Sequence, residues 1–283
     1  SSSNSFQISN GIVRFVEDEG YSENFGYQWS KWPKVQFEEC NVGKPMQGHT
    51  SKMFKTITNF ENHNMEGKVV LDVGCGPGRF SDVCLSAGAK VIALDYSSAV
   101  DIAKDNFGDK KNIIILQADA LNLPIKDYSV DMSFSIGVLH HTPDPESGVG
   151  QVYRVLKKGG TFAVAVYGKG GYYDSPIVRF WRKIFKFTWR FFGPIPPLIY
   201  SYFTVYTFGT LAHISKVLSY PFRFIFPFVY LPDKDWSLLD TFDSIVPSYQ
   251  SAHTPDEVRK WFEYKNFVDI ELTGWGSSGR GNK

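Results

Sequence analysis

Cysteine is scarce, with Cys40, Cys75 and Cys84 the only three in 283 residues. An odd trio without metal-ligand spacing excludes a disulfide framework and a zinc site, and it points to a reducing compartment, the cytoplasm. Net charge is scarce too. Thirty basic against twenty-nine acidic residues leave +1, which provides no electrostatic footprint for nucleic acid. No signal peptide is legible at the start, and the opening SSSNS reads as a frayed end. One long run, 191–215, lacks charge altogether, but Pro194, Pro196 and Pro197 interrupt its beginning. The remainder of the run, PLIYSYFTVYTFGTLAHIS, is about the minimum length to span a bilayer and carries Ser, Thr, Gly and His, so no transmembrane helix is expected. No internal repeat is visible.

What is present is a strand–helix alternation. KVVLDVG (68–74), KVIALDY (90–96), IIILQAD (113–119), VDMSFSIG (130–137) and GTFAVAVY (160–167) each read as a buried parallel strand. Helix-length segments fall near 48–63, 78–87, 97–107 and 146–157. The theme returns as a helix at 254–267 and a final strand, VDIELTGW (268–275). Alternation of this kind predicts an α/β fold, a Rossmann-like doubly wound sheet. The length suits one core domain with an insertion. The expected divisions are an N-terminal aromatic lid at 1–66, a core at 67–170 and 241–283, and an aromatic and basic insertion at 171–240.

The glycines of VVLDVGCGPGRF (69–80) constrain the ligand. A P-loop requires Gly-Lys-Ser/Thr, and Arg79-Phe80 stands there instead. A dinucleotide fingerprint spaces its glycines Gly-x-Gly-x-x-Gly, whereas Gly74, Gly76 and Gly78 are closer and Pro77 removes an amide. The next strand ends in Asp95, 21 residues beyond Gly74, a spacing suited to a carboxylate that grips a ribose diol. A third strand ends in Asp119-Ala120, where a side chain meets an adenine amino group. Glycine loop, acid and acid at successive strand ends describe a cleft for a nucleoside without phosphates.

VLDVGCGPGRFS, VIALDYS, QADALNLP, VDMSFSIGVLHHTPDP and VLKKGGTFAVAVY, in this order, resemble the motifs of class I S-adenosylmethionine-dependent methyltransferases. They are most similar to the ubiquinone/menaquinone-biosynthesis-type enzymes, and the resemblance covers about 68–167. It implies a mostly parallel seven-stranded sheet and S-adenosylmethionine as cofactor, with S-adenosylhomocysteine as product. Asp72, Gly74, Cys75, Gly76 and Gly78 would line the methionine end, and Asp95 with Tyr96 the ribose. Asp119, Ala120 and Leu121 would frame the adenine, with Ile136 and Gly137 beside the donor sulfur. The flanks NFGYQW and FDSIVPSYQSAHTPDEVRKWF resemble small-molecule methyltransferases, implying an acceptor that is a small molecule or lipid-linked metabolite.

Methyl transfer needs alignment and exclusion of water, and a hydroxyl acceptor gains from a general base. His140 and His141, directly after the fourth strand, are the candidates, with His253 a third; each has an alternative reading as a turn or cap residue. No metal is predicted, because the strand ending at Gly137 lacks the acid of magnesium-dependent enzymes. Tyr21, Phe25, Tyr27, Trp29 and Trp32 are expected to fold over the cofactor or simply to pack on the sheet. The acceptor pocket is expected to draw on Tyr27, Trp29, Trp236, Tyr249, Arg182 and the insertion aromatics.

In IVRFWRKIFKFTWRFF (177–192), Arg179, Arg182, Lys183, Lys186 and Arg190 share an arc of about 100°, with aromatics filling the rest. Three readings stay open for this helix: a substrate lid, a peripheral contact with an anionic membrane, or a homo-oligomer interface. The favoured reaction is O-methylation by direct displacement. Carbon methylation of a quinone-like ring at the membrane and a catalytically silent cofactor-binding scaffold are the alternatives.

Overall fold

The computed structural model describes residues 6–16, 22–108 and 110–283; the side chains of Glu23, Asn62, Lys216 and Tyr220, and all of Tyr21, lie outside the description. Its centre is a parallel set of five strands: β3 (Val69–Val73), β4 (Lys90–Asp95), β5 (Ile113–Gln117), β6 (Val130–Ile136) and β7 (Leu156–Val166). Their near-continuous apolar runs reflect helices that cover both faces of the sheet. α2 (His49–Thr58) and α3 (Arg79–Ser86) pack Phe54 and Phe80 on one face. α5 (Pro145–Val155) and α11 (Pro255–Tyr264) pack Val149, Val152 and Phe262 on the other. α4 (Ala99–Phe107) joins β4 to β5. α11 starts at a capping box, with Thr254 and Glu257 each accepting from the other's backbone N–H.

Among the described residues the sheet has nine strands, two more than the seven expected: with β1 (Gln7–Ser9), β2 (Ile12–Arg14), β8 (Val268–Thr273) and β9 (Ser277–Asn282), the order is β1-β2-β5-β4-β3-β6-β7-β9-β8. Seven of them, β5 through β8, form the doubly wound sheet; the other two lie within the segment read as a lid. β1 (Gln7–Ser9) and β2 (Ile12–Arg14) form a hairpin whose second strand runs parallel to β5, Val13 opposite Leu116. Arg14 secures it by ion-pairing with Asp101 at 2.6 Å.

VDIELTGW is not the last strand either. After β8 (Val268–Thr273) the chain turns back as β9 (Ser277–Asn282), which lies antiparallel between β7 and β8. Its sequence, SSGRGN, has no β-branched or aromatic residue, so propensity gives no signal for a strand. Its neighbours require small residues instead: a Cβ on Gly281 would lie 3.1 Å from Phe262 and 3.2 Å from Phe267.

The insertion is helical: α6 (Pro176–Phe192), α7 (Ile195–Thr204), a π-turn at Val205–Gly209, α8 (Thr210–Ile214) and α9 (Lys216–Arg223). The prolines that interrupt the charge-free run stand at the start of α7, where a missing N–H costs nothing. α10 (Lys234–Ile245) then returns to the core, its Leu238, Leu239 and Phe242 packed with Trp32, Phe185 and Tyr200. α1 (Glu23–Lys31) lies beside it, tied by Gln28 and Asn24. Among the described residues no helix is long and apolar enough to cross a membrane.

Candidate active site

The C-terminal ends of β3, β4, β5, β6 and β7 open into a cavity of about 390 Å³, closed on its other sides by α1, α2, α10 and the β8–β9 turn. The glycine loop forms one wall because nothing larger fits. Gly74 has φ +82°, and a Cβ there would overlap Val138 at 2.3 Å. Gly76 has φ +53°, and the Trp29 indole stands 3.0 Å from where its Cβ would be. Left-handed backbone and close neighbours together make both positions glycine. The Asp95 carboxylate braces the loop, accepting from the Gly76 N–H at 2.9 Å and from the Ser97 N–H and Oγ at 2.9 and 2.7 Å. Burial holds its pKa above the usual carboxylate range.

Cys75, Tyr96, Ala120, Ile136 and Gly137 line the same cavity, as do Trp29, Trp236 and His141. The cavity does not include every sequence candidate. Asp72 lies behind the loop, accepting from Ser81 Oγ at 2.7 Å, its pKa pushed up to about 7 by burial. Gly78 begins α3 and packs on Phe107. Asp119 turns its carboxylate onto the Leu121 N–H at 2.8 Å, the loop-cap alternative to an adenine contact.

The histidines separate. His141 Nδ1 stands 2.9 Å from the Tyr249 carbonyl oxygen, which can only accept, so Nδ1 carries the proton. The Nε2 lone pair is then left buried and without a partner among the described residues. Burial also pushes the His141 pKa down, partly offset by the Asp243 carboxylate. His140 is fully buried between the His141 and Tyr167 rings, at 4.1 and 3.9 Å, away from the cavity. His253 contacts Ser251 Oγ at 2.8 Å and packs on Trp261, also outside the cavity.

Of the expected acceptor residues outside the cavity, Tyr27 packs on Trp189 and Phe242, and Tyr249 contributes its carbonyl to His141. Arg182 donates to the Ser244 and Tyr173 carbonyls at 2.9 and 3.1 Å. Of the 171–240 segment, the aromatics Tyr173 and Trp236, near its two ends, line the cavity, whereas no described residue from 176 to 235 does.

What lines it instead comes from α10 and α1. Asp243 accepts from the Tyr167 hydroxyl at 2.6 Å and from Gln28 at 3.0 Å. Asp240, one turn earlier, has among the described residues only a 3.5 Å contact from Gln36, whose Oε1 is buried and has no partner among them. Burial, then the neighbouring Asp243, pushes the Asp240 pKa up to about 7. Arg79 also faces the cavity, its pKa lowered by burial and supported by both carboxylates. Two acids at i and i+3 in DWSLLDTFDSI were a visible signal, but nothing local places them opposite residue 79.

Asp95, Asp240 and Asp243 against Arg79 leave the cavity with an excess of negative charge. That balance repels a polyphosphate and suits a cationic nucleoside. Small strand-end residues, Ala118 and Ala120, leave room for a flat ring. The residues present therefore fit S-adenosylmethionine.

A family model described as a methyltransferase domain matches residues 71–164, from β3 to within β7. The chain carries a class I S-adenosylmethionine-dependent methyltransferase domain. Its cofactor is S-adenosylmethionine. Among similar proteins is an uncharacterized chloroplastic methyltransferase of Arabidopsis thaliana, 28% identical over 176 residues, which are 59% of this chain and 43% of that protein. The demethylmenaquinone methyltransferase of Paenarthrobacter aurescens is 30% identical over 119 residues, 42% of this chain and 44% of the relative. The chain thus spans less than half the length of these relatives. The solved structure of an S-adenosylmethionine-dependent methyltransferase from Mesorhizobium loti is 28% identical, with a TM-score of 0.35, over 37% of this chain and 49% of that one.

Proposed function

We propose that the methyltransferase methylates a hydroxyl oxygen of a small-molecule or lipid-linked acceptor, with His141 as the general base. The observation that carries this is the unpartnered Nε2 of a neutral His141 in the cavity that Gly74, Gly76 and Asp95 also line. S-adenosylmethionine supplies the methyl group as an activated sulfonium carbon. Asp95 would hold the ribose hydroxyls, while Phe25, Trp29 and Trp236, which line the same cavity, would exclude water around the reacting atoms. As the acceptor oxygen gains the methyl, His141 Nε2 takes its proton, and the imidazolium is stabilised by Asp243. The Tyr249 carbonyl keeps Nδ1 protonated and the ring in the productive tautomer.

The polar lining supports a donor-rich acceptor. Gln36 Oε1, His141 Nε2 and the Asp240 carboxylate all accept, and each has little or nothing donating to it. An acceptor carrying several hydroxyls would satisfy them.

A second reading, carbon methylation of a quinone-like ring, is favoured by the demethylmenaquinone methyltransferase relative and the aromatic lining. Then His141 would take a proton from carbon. Turnover is measured as S-adenosylhomocysteine release with fractionated extracts. His141→Ala should lower it about 100-fold or more while leaving S-adenosylhomocysteine affinity intact; unchanged turnover removes the assignment. A methoxy or carbon-bound methyl signal in the ¹³C spectrum of the product decides the acceptor atom.

A further inference from the structure

The insertion leaves an apolar face that the cavity does not use. Fifteen of the twenty-four exposed large apolar side chains among the described residues lie between 180 and 225. They align. Phe180, Phe187 and Phe191 form one stripe of α6, and Ile195, Ile199 and Phe203 form one of α7. The opposite sides of these helices are occupied, with Phe185 and Tyr200 packed against Leu238 and Phe242 of α10. Contiguous apolar exposure on this scale marks an interaction site.

Charge identifies the partner. From Ser175 to Pro232 there are seven Lys and Arg residues and no Asp or Glu, although the whole chain is nearly neutral. The basic arc of α6 is divided in the fold. Arg182 and Lys186 donate to the Ser244 and Ser248 carbonyls, while Lys183 and Arg190 are exposed beside the aromatic stripe. An outward face of Phe and Ile flanked by Lys183 and Arg190, which have no acidic partner among the described residues, has the chemistry of the headgroup–acyl boundary of an anionic bilayer. A second copy presenting the same face would set cations against cations with no acid to receive them.

We propose that the α6–α9 face docks peripherally on an anionic lipid bilayer, cations toward the headgroups and aromatics between them. α10 connects the two sides of the protein: Leu238 and Phe242 pack under this face, while Asp240 and Asp243 line the cavity. Docking thus places the acceptor side of the cavity one helix layer from the membrane.

The test is flotation of the full chain with vesicles of phosphatidylcholine alone or with about a third phosphatidylglycerol. Binding is expected only to the anionic vesicles and should weaken as salt rises. Lys183→Glu/Arg190→Glu should reduce it about tenfold or more, and Phe187→Ser/Phe191→Ser should do the same without changing S-adenosylhomocysteine affinity. The wild-type salt and lipid dependence keeps the test valid if a variant fails to fold. Equal binding to neutral vesicles, or none to anionic ones, overturns the proposal. So does self-association in light scattering that Phe187→Ser/Phe191→Ser abolishes while anionic vesicles capture nothing.

Discussion

Replacing Gly74 with alanine tests whether the glycine loop is shaped by its neighbour across the cavity or only by its own backbone. Two contributions are separable. The left-handed φ of +82° costs an L-residue about 1–2 kcal/mol. The added Cβ would also lie 2.3 and 2.4 Å from the two Val138 methyl carbons, an overlap that forces a shift of the loop. Overpacking of this kind costs about 1–3 kcal/mol, for a total of roughly 2–5 kcal/mol. In a protein of this size the melting temperature should fall by roughly 5–15 °C. Gly137 provides the control: it has φ +78° and lines the same cavity, yet nothing lies within 4 Å of its absent Cβ. Gly137→Ala should therefore show only the backbone cost. Val138→Ala combined with Gly74→Ala should remove the methyl overlap but not the contact with the Val138 Cβ itself, 2.8 Å from the added carbon, so part of the packing cost is relieved and the backbone cost stays. Denaturant titration of wild type, the two single variants and the double variant measures the coupling. Calorimetric titration with S-adenosylhomocysteine should show Gly74→Ala weaker by about tenfold or more, with partial recovery in the double variant. If Gly74→Ala is no worse than Gly137→Ala, or Val138→Ala restores nothing, the contact with Val138 does not shape the loop.

Two predictions concern proton linkage. Asp240 has a folded pKa near 7 against 3.8 for the ordinary carboxylate, so its contribution is fully present below about pH 4 and lost as pH rises to about 7. Asp240→Asn should be more stable than wild type by about 1–3 kcal/mol at pH 8, the difference vanishing near pH 4; a difference independent of pH would refute it. His140 runs the other way. Its pKa lies well below the ordinary 6.5 because burial disfavours the cation, so stability is present above pH 6.5 and lost as pH falls from there. Relative to wild type, His140→Leu should gain up to about 1.4 kcal/mol per pH unit on acidification from 6.5. Parallel acid limbs in urea titrations of the two proteins would exclude His140 as the source.

The parallel strands were legible because each is a short apolar run buried on both faces, and period and composition report that directly. The positions of the glycine loop and Asp95 were legible for a related reason: they depend on backbone freedom and spacing within a single strand–helix–strand unit. β9 was not, because SSGRGN is a strand only where β7 and β8 supply its hydrogen bonds and Phe262 and Phe267 exclude side chains. Nor was the α10 side of the cavity. His141 was named from its place after β6, but a tautomer set by the carbonyl of Tyr249, 108 residues away, is a tertiary fact. Arg79, Asp240 and Asp243 meet only because α10 returns to the core after the insertion. The amphipathic pattern of α6 was visible in the sequence, yet its direction was not. Periodicity assigns residues to faces of a helix, and only packing against α10 decides which face is left to the solvent. Local chemistry along the chain thus determined the fold class and the glycine-loop wall of the cavity. Long-range packing decided the α10 wall of the cavity and the outward face, because charges and apolar stripes acquire partners only when distant segments are brought together.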